Sequence, residues 1–386
     1  MTVPSHSVVF FLLVSFLFSS WIVVCRSIEV ESHHHHKHNN KNKNAALFVF
    51  GDSYFDPGNN NYINTSTLDQ SNFPPYGETY FGFPTGRFSD GRIIPDFISE
   101  YAKLPLIRPY TEPGLSWEKY IIYGANFASA GAGALLETFH GSVISLQTQI
   151  RYHKRVENRL RKIYGKTEAR KILSKAVYLF SIGTNDYISP YLITNSTHFN
   201  STKSDQLIEI VIGNITTAIT ELHKRGGRKF GFLNLGPLGC IPGLRIILNP
   251  PSDSGGCIKA ASLLAKLHNQ AFSEALKGLA KHLHGFKYSL YNANSFLQHR
   301  LKHPSKYGYK QGKTACCGTG RFRGTYSCGG KRPPVKEFKV CENPKDYLFW
   351  DSYHLTERAY KEMASQMWSQ KANTGTYNLK TLFQLQ

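Results

Sequence analysis

The sequence predicts an α/β fold in which a mainly parallel sheet carries helices on both faces. Five short apolar runs, most of them ending in Gly, Asn or Asp, read as buried strands. The stretches between them have helical spacing, and strands alternating with helices argue for a parallel sheet under a double cover. The chain has 386 residues, 41% of them hydrophobic. Nothing in the middle reads as a linker and no fixed-period repeat appears, so one large domain is expected.

In chain order the runs are "AALFVFGDS" (45–53), "YGANFASAG" (123–131), "AVYLFSIGTND" (176–186), "KFGFLNLGPLG" (229–239) and the weaker "FKYSLYNANS" (286–295). Ile93, Ile94, Phe97, Ile98 and Tyr101 recur at three- and four-residue spacing, with Ser89 or Asp90 as the expected cap. Leu207, Ile208, Val211, Ile212, Ile215 and Ile219 form a second such face, and 260–283 a third. Parallel strands gather their carboxyl ends at one edge, where open α/β sheets place their ligands. Ser53, Gly131 and Asn185 are therefore expected to converge.

The first residues read as a targeting segment. "VVFFLLVSFLFSSWIVVC" (8–25) is apolar, broken by Ser15, Ser19 and Ser20, and shorter than the roughly 20 apolar residues a spanning helix needs. It predicts a signal peptide over 1–27, cleaved after Ser27. The lack of Lys or Arg before Val8 keeps an uncleaved anchor as the alternative. No later stretch is apolar enough to span a bilayer. A low-complexity His/Asn/Lys leader follows over 28–45, read as polar and disordered; the other reading, a metal tract, lacks a nearby carboxylate or Cys to complete it. The domain is expected over 46–370, with a C-terminal tail over 371–386.

Seven Cys become six once Cys25 leaves with the signal: Cys240, Cys257, Cys316, Cys317, Cys328 and Cys341. An even number in an exported chain predicts disulfides, in any of 15 pairings. The late four lack the paired spacing of a zinc site. Asn64, Asn195, Asn200 and Asn214 begin N-x-S/T acceptors, Asn214 being less accessible if it sits on a helix. A formal charge of +20 concerns partners rather than fold. The cations are scattered and the signal removes the chain from nuclei, which excludes nucleic acid. Acidic cell-wall polysaccharide is the better candidate partner, in a secreted, extracellular setting (apoplast or cell wall).

Acyl transfer needs a nucleophile, a base, a group that orients the base, and donors for the oxyanion. "YLFWDSYHLTERAYKEM" (347–363) offers Asp351 and His354 three residues apart, before a helix starting near Thr356. Asp351 would fix one imidazole nitrogen and turn the other to Ser53. Alone, Ser53 would read as a turn residue; with those two it reads as a nucleophile. Asn185 has its own turn-forming alternative, and Asp52 and Asp186 read as backbone caps. His268, His282 and His284 read as surface or structural. Arg87 and Arg92 read as partners of Asp90 and Asp96, with a substrate carboxylate as the alternative.

"FVFGDSYFDPGNNN", "PTGRFSDGRIIPDFISEY", "GANFASAGAG", "SIGTNDY", "LGPLGCIP", "ACCGTG" and "YLFWDSYHLTE" stand in this order from Ala46 to about Trp368. In them the chain resembles a plant GDSL esterase/lipase of the SGNH hydrolase superfamily, most similar to the secreted, defence-associated branch. The resemblance implies a three-layer α/β/α sandwich, flavodoxin-like in topology. It also implies a Ser53–His354–Asp351 triad and an oxyanion hole from the Ser53 N–H, the Gly131 N–H and the Asn185 amide, with Gly133 competing for the glycine role. It implies hydrolysis of carboxylic esters without metal or organic cofactor, in lipid catabolism or plant defence. An acyltransferase on the same site and a non-catalytic extracellular binding protein are the alternatives. The chain departs from the pattern at Tyr54 (for Leu), Ala130 (for a common Gly) and Leu355 (for Pro). Tyr54 is expected to fill an apolar slot, and the G-x-S-x-G elbow of other α/β-hydrolases is absent.

Overall fold

In the computed structural model, β1 (Leu47–Gly51) is buried at all five positions, because strands flank it on both sides and helices cover both faces. The described residues are 45–114, 116–194, 201–248, 256–370 and 377–385, all within the compact unit Lys43–Gln386. The expected signal peptide, all of the polar leader but Ala45, Asn195 and Asn200 lie outside them. After β1 come α1 (Ile94–Tyr101), α2 (Trp117–Tyr120), β2 (Gly124–Asn126), α3 (Leu146–Lys175), β3 (Val177–Ser181), α4 (Thr184–Thr194) and α5 (Ser201–Lys224). Then follow β4 (Lys229–Leu233), α6 (Pro242–Leu248), α7 (Lys259–His282), β5 (Lys287–Tyr291) and α8 (Ala293–Lys302). The last part adds β6 (Gln311–Ala315), β7 (Cys317–Gly318), β8 (Lys339–Val340), β9 (Tyr347–Phe349), α9 (Glu357–Ser369) and α10 (Leu379–Gln384).

The five expected strands are β1 to β5. They form one sheet in the order β2-β1-β3-β4-β5, parallel at every pairing. Strand alternation divides the core in two. Phe48, Phe50, Tyr178, Phe180, Phe230 and Phe232 face α3, α5 and α7. Leu47, Val49, Val177 and Leu179 face α1, α8, α9 and α10. The result is a three-layer α/β/α sandwich.

Two local expectations change. The first helix begins after Ile93, not at Ser89 or Asp90: Asp96 accepts the Ile93 N–H at 2.9 Å and Pro95 sits in the first turn. Proline is pre-set for that position and has no N–H to leave unpaired. Asp90 caps another helix instead, accepting the N–H of Glu357 at the start of α9. The packed chain also runs past 370, since Leu379 and Leu382 of α10, in the segment expected as tail, are buried against the second core face. Among the described residues no helix is long and apolar enough to cross a membrane.

The six cysteines pair as Cys240–Cys257, Cys316–Cys341 and Cys317–Cys328. The last two strap the segment between β7 and β9, and the first ties the start of α6 to the approach of α7. The 17-residue separation of Cys240 and Cys257 constrains the unfolded chain. Replacing both by Ala is expected to lower stability by about 2–4 kcal/mol, read from the denaturant midpoint. An unchanged midpoint would mean that the pair is not bonded.

Candidate active site

At the end of β1, Gly51 has φ +148° and lies so close to β3 that a Cβ would stand 2.2 Å from the Ser181 carbonyl oxygen. Only glycine fits there. The chain then turns out of the sheet: the Asp52 N–H donates to Ser181 O, and the N–H groups of Phe55 and Asp56 return to Asp52 O. Asp52 Oδ1 accepts the Tyr54 N–H at 3.0 Å, the capping role expected of it. Ser53 is held on this turn at the carboxyl edge between β1 and β3, where the strand order reverses and parallel sheets bind ligands.

β9 brings the partners from the far end of the chain. Asp351 is fully buried, and its Oδ1 accepts the N–H groups of Tyr353 (2.8 Å) and His354 (2.9 Å), which folds 351–354 into a tight turn. His354 Nδ1–H donates to Oδ1 at 2.8 Å and Oδ2 at 3.0 Å. An ionised carboxylate only accepts, so Nδ1 carries the ring proton and Nε2 is bare. Nε2 accepts the Ser53 Oγ–H at 2.8 Å. Phe88 packs over the imidazole, with ring centroids 4.5 Å apart. Thr356 caps α9 through the Ala359 N–H and so anchors the loop from its far side.

Gly131 and Asn185 border the same cleft as Ser53 and His354. Asn185 stands in the first turn of α4 and donates one amide N–H to Ala132 O at 2.9 Å, which fixes the amide plane and leaves a second N–H on the same nitrogen. Gly131 has φ +80°, and a Cβ there would meet Asp69 and Val143 at 2.7 and 2.9 Å. Gly133 backs onto Asp186 instead, at 2.2 Å from a notional Cβ. Gly131 is thus the glycine that faces the cleft.

Comparison with known proteins decides the family. The family profile "GDSL-like Lipase/Acylhydrolase" matches residues 47–367. "GDSL esterase/lipase 5" of Arabidopsis thaliana is 56% identical over 345 residues, 88% of either chain. "GDSL esterase/lipase 4" of the same plant is 50% identical over 88% of this chain and 91% of its own. "GDSL lipase" of Tanacetum cinerariifolium is 47% identical over 88% of both. The chain belongs to the GDSL lipase/acylhydrolase family. As a member it is a carboxylic ester hydrolase.

In this GDSL-family chain, Tyr54 stands after Gly-Asp-Ser and is half-buried. Its ring meets Tyr360 edge-on at 5.5 Å, and its hydroxyl donates to Tyr353 O at 3.3 Å. Asp186 caps as expected, accepting the N–H groups of Ala134 and Leu135 and the Thr138 hydroxyl. His268 is buried and paired with Tyr187, a structural role. Arg87 grips Asp96 through both ends of its fork at 2.8 Å, so it faces no substrate. Arg92 departs from the expected pairing and bridges Glu100 and Glu357, because Asp90 is already engaged at the start of α9. Of the acceptor asparagines, Asn64 is exposed, whereas Asn214 lies half-buried on α5 with its amide donating to Ile210 O.

Sequence reading missed two groups behind Asp351. The Tyr76 hydroxyl donates to Oδ2 at 2.6 Å, and Arg332 is buried beside Tyr76. Their only sequence signal is position inside loops, where periodicity says nothing. Burial would raise the Asp351 carboxyl, but His354, Arg332 and the Tyr76 hydroxyl outweigh it and hold the group below the usual carboxylate range.

Neighbouring acids move the other way. Burial pushes Asp52 up to about 7, against the Tyr54 N–H and helped by Asp186. It pushes Asp56 and Asp90 up to about 6. These groups hold protons more tightly folded than unfolded, so their contribution to stability grows as pH falls from about 7 towards about 5. Asp52→Asn keeps an acceptor for Tyr54 and is expected to flatten the upper part of that rise. Denaturant midpoints taken between about pH 5 and 8 check it, and an unaltered slope would clear Asp52 of the effect.

Proposed function

We propose that this chain is a secreted serine esterase that cleaves its ester through an acyl-enzyme on Ser53. Ser53 Oγ attacks the ester carbonyl while His354 Nε2 takes its proton and later returns it to the leaving alcohol. Asp351 holds the imidazole tautomer and stabilises the imidazolium that forms. The N–H groups of Ser53 and Gly131 and the Asn185 amide receive the developing oxyanion. Water then takes the place of the alcohol and releases the acid by the same steps. The observation that carries this reading is the continuous chain of hydrogen bonds Ser53–His354–Asp351 opening onto a cleft.

The cleft measures about 620 Å³, well within the range of small-molecule sites. Its lining carries many apolar side chains, among them Leu235, Leu238, Ile241, Ile246, Ile247 and Leu297, with Ser66, Asp69 and Tyr326 adding polar groups. That lining favours an ester with an apolar acyl arm, in keeping with a role in lipid breakdown or plant defence. Export is supported by the three disulfides, which persist in oxidising compartments. Glycosylation at exposed Asn64 would follow from it.

Ser53→Ala is expected to abolish hydrolysis of a generic acyl ester and labelling by a fluorophosphonate probe. Asn185→Ala should lose roughly 10²–10³-fold in kcat and keep a residue of activity. Full turnover in Ser53→Ala would end the mechanism. Across a series of p-nitrophenyl esters, kcat/KM is expected to climb with acyl length until the apolar part of the lining is filled. A preference for acetate would contradict an acyl-binding role for those side chains.

A further inference from the structure

Behind the Asp351–His354 pair the structure carries a second buried layer, on the side away from Ser53. Oδ2 of Asp351 takes the Tyr76 hydroxyl at 2.6 Å, a short bond of the kind a charged acceptor makes. Tyr76 is 1% exposed and Arg332 0%. The Arg332 guanidinium donates to Cys328 O at 2.7 Å and Gln70 O at 2.6 Å. It sits 4.1 Å from the Tyr326 ring centroid and 5.3 Å from that of Tyr76. Its Nε has no hydrogen-bond partner, and no carboxylate among the described residues lies within ion-pair distance of it. A buried cation whose hydrogen bonds go only to carbonyls is expensive unless anions stand close: Asp69 feels it from the cleft side, and behind its neighbour Tyr76 stands Asp351.

We propose that Tyr76 and Arg332 are positioning residues for the esterase reaction, a buried tyrosine and a buried cation that draw charge from Asp351, limit its hold on an imidazolium and so set the lower pH limit of turnover. This deepens the serine esterase reading and rests on it. Each donor or cation on the far side of Asp351 weakens the hold of the carboxylate on an imidazolium, so removing one strengthens that hold and raises the pH below which activity is lost. The two residues arrive from separate segments. Tyr76 lies in the loop between β1 and α1, and Arg332 in the stretch strapped by Cys316–Cys341 and Cys317–Cys328. Cys316 and Cys317 also donate N–H bonds to Phe349 O and Trp350 O, which holds that stretch against the strand leading into Asp351.

The other titratable and charged groups around the pair are Asp52 and Tyr54 after β1, Asp69 on the cleft wall, Tyr326, Tyr353 in the turn itself and Tyr360 on α9. Burial pushes the phenols up, so they stay neutral hydrogen-bonding groups across the working range. Asp52 and Asp69 are also pushed up by burial, to about 7 and about 6. Both are present in wild type and in Tyr76→Phe alike, so a difference between those two profiles is not theirs.

The test is the acid limb of kcat/KM against pH for an uncharged ester, on the full disulfide-bonded protein, with folding followed by near-UV circular dichroism. Tyr76→Phe is expected to move that limb to higher pH by about 0.5–1 unit, which cuts activity about 3–10-fold one unit below the wild-type midpoint. Arg332→Met should move it the same way, and Arg332→Lys, which keeps the cation, should bring it most of the way back. A folded Tyr76→Phe protein whose limb coincides with wild type overturns the proposal, whatever happens to its plateau. If Arg332→Met does not fold, Tyr76→Phe decides alone. Ser53→Ala is assayed in parallel. Turnover in that variant would end the esterase reading itself, whereas an inactive Ser53→Ala beside an unshifted Tyr76→Phe ends only the role given to Tyr76 and Arg332.

Discussion

A carboxylate sealed from water is the constraint around which this site is built. Asp351 has no exposed surface, and an isolated buried charge of that kind would take up a proton instead. Four groups donate to it and the Arg332 cation stands behind them: the main-chain N–H groups of Tyr353 and His354, the His354 imidazole and the Tyr76 hydroxyl. Three of the four come from its own turn, so most of the geometry is local and forms whenever 351–354 folds. Tyr76 is a separate condition, met only when the loop after β1 has wrapped round to the C-terminal strand. The tautomer of His354 is thus set within the turn, whereas the full set of donors on Asp351 is completed only by tertiary closure.

The opposite side of the site depends on a close approach of backbones. Gly51 lets β1 and β3 come together, and the Asp52 N–H is taken by Ser181 O. Gln149 of α3 then brackets Gly51, accepting its N–H and donating to its carbonyl, both at 2.9 Å. Those three contacts fix where the sheet ends and therefore where Ser53 begins. Buried acids hold the loops around it: Asp56 accepts the N–H groups of Gly58, Asn59 and Ala130, and Asp186 those of Ala134 and Leu135. The Asp-Pro-Gly-Asn-Asn-Asn run after Ser53 is a scaffold of this sort. Asn59 and Asn60 reach the main-chain carbonyls of Asn126, Ala128 and Ala130 and tie the nucleophile loop to the glycine loop.

Strands were legible because each is a short apolar run with a punctuating residue, and α5 and α7 because their apolar faces keep helical spacing. α3 was not, although it spans 30 residues, kinked at Gly165 where φ is +79°. Its buried face mixes Ile150, Val156 and Leu160 with Gln149, His153 and Glu157, so an apolar periodicity hardly exists to be seen. Ser53, Asp351 and His354 were legible as residue types in a known order; Ser53 follows β1 of the parallel sheet, whereas the other two follow β9, which pairs with β6 in a separate two-stranded sheet. Tyr76 and Arg332 were not legible at all. A tyrosine in an aromatic-rich loop and an arginine before two prolines carry no pattern, and their meeting at Asp351 depends on disulfide pairings that spacing leaves open.

The charge tells a similar story about what a count conceals. A formal +20 suggests a surface made for polyanions, yet four arginines among the described residues are buried: Arg87, Arg245, Arg300 and Arg332. Arg87 and Arg300 hold Asp96 and Glu362. Arg245 lies over Phe322 at 3.6 Å and donates to Lys313 O, and Arg332 is enclosed by rings. The planar, weakly hydrated guanidinium suits such sites better than an ammonium would. These cations spend their charge on internal carbonyls, carboxylates and ring faces, so they cannot be counted towards attraction of an outside partner. The excess of Arg and Lys is in part an architectural feature of loops that have no regular secondary structure to satisfy their carbonyls, and the site sits among those loops.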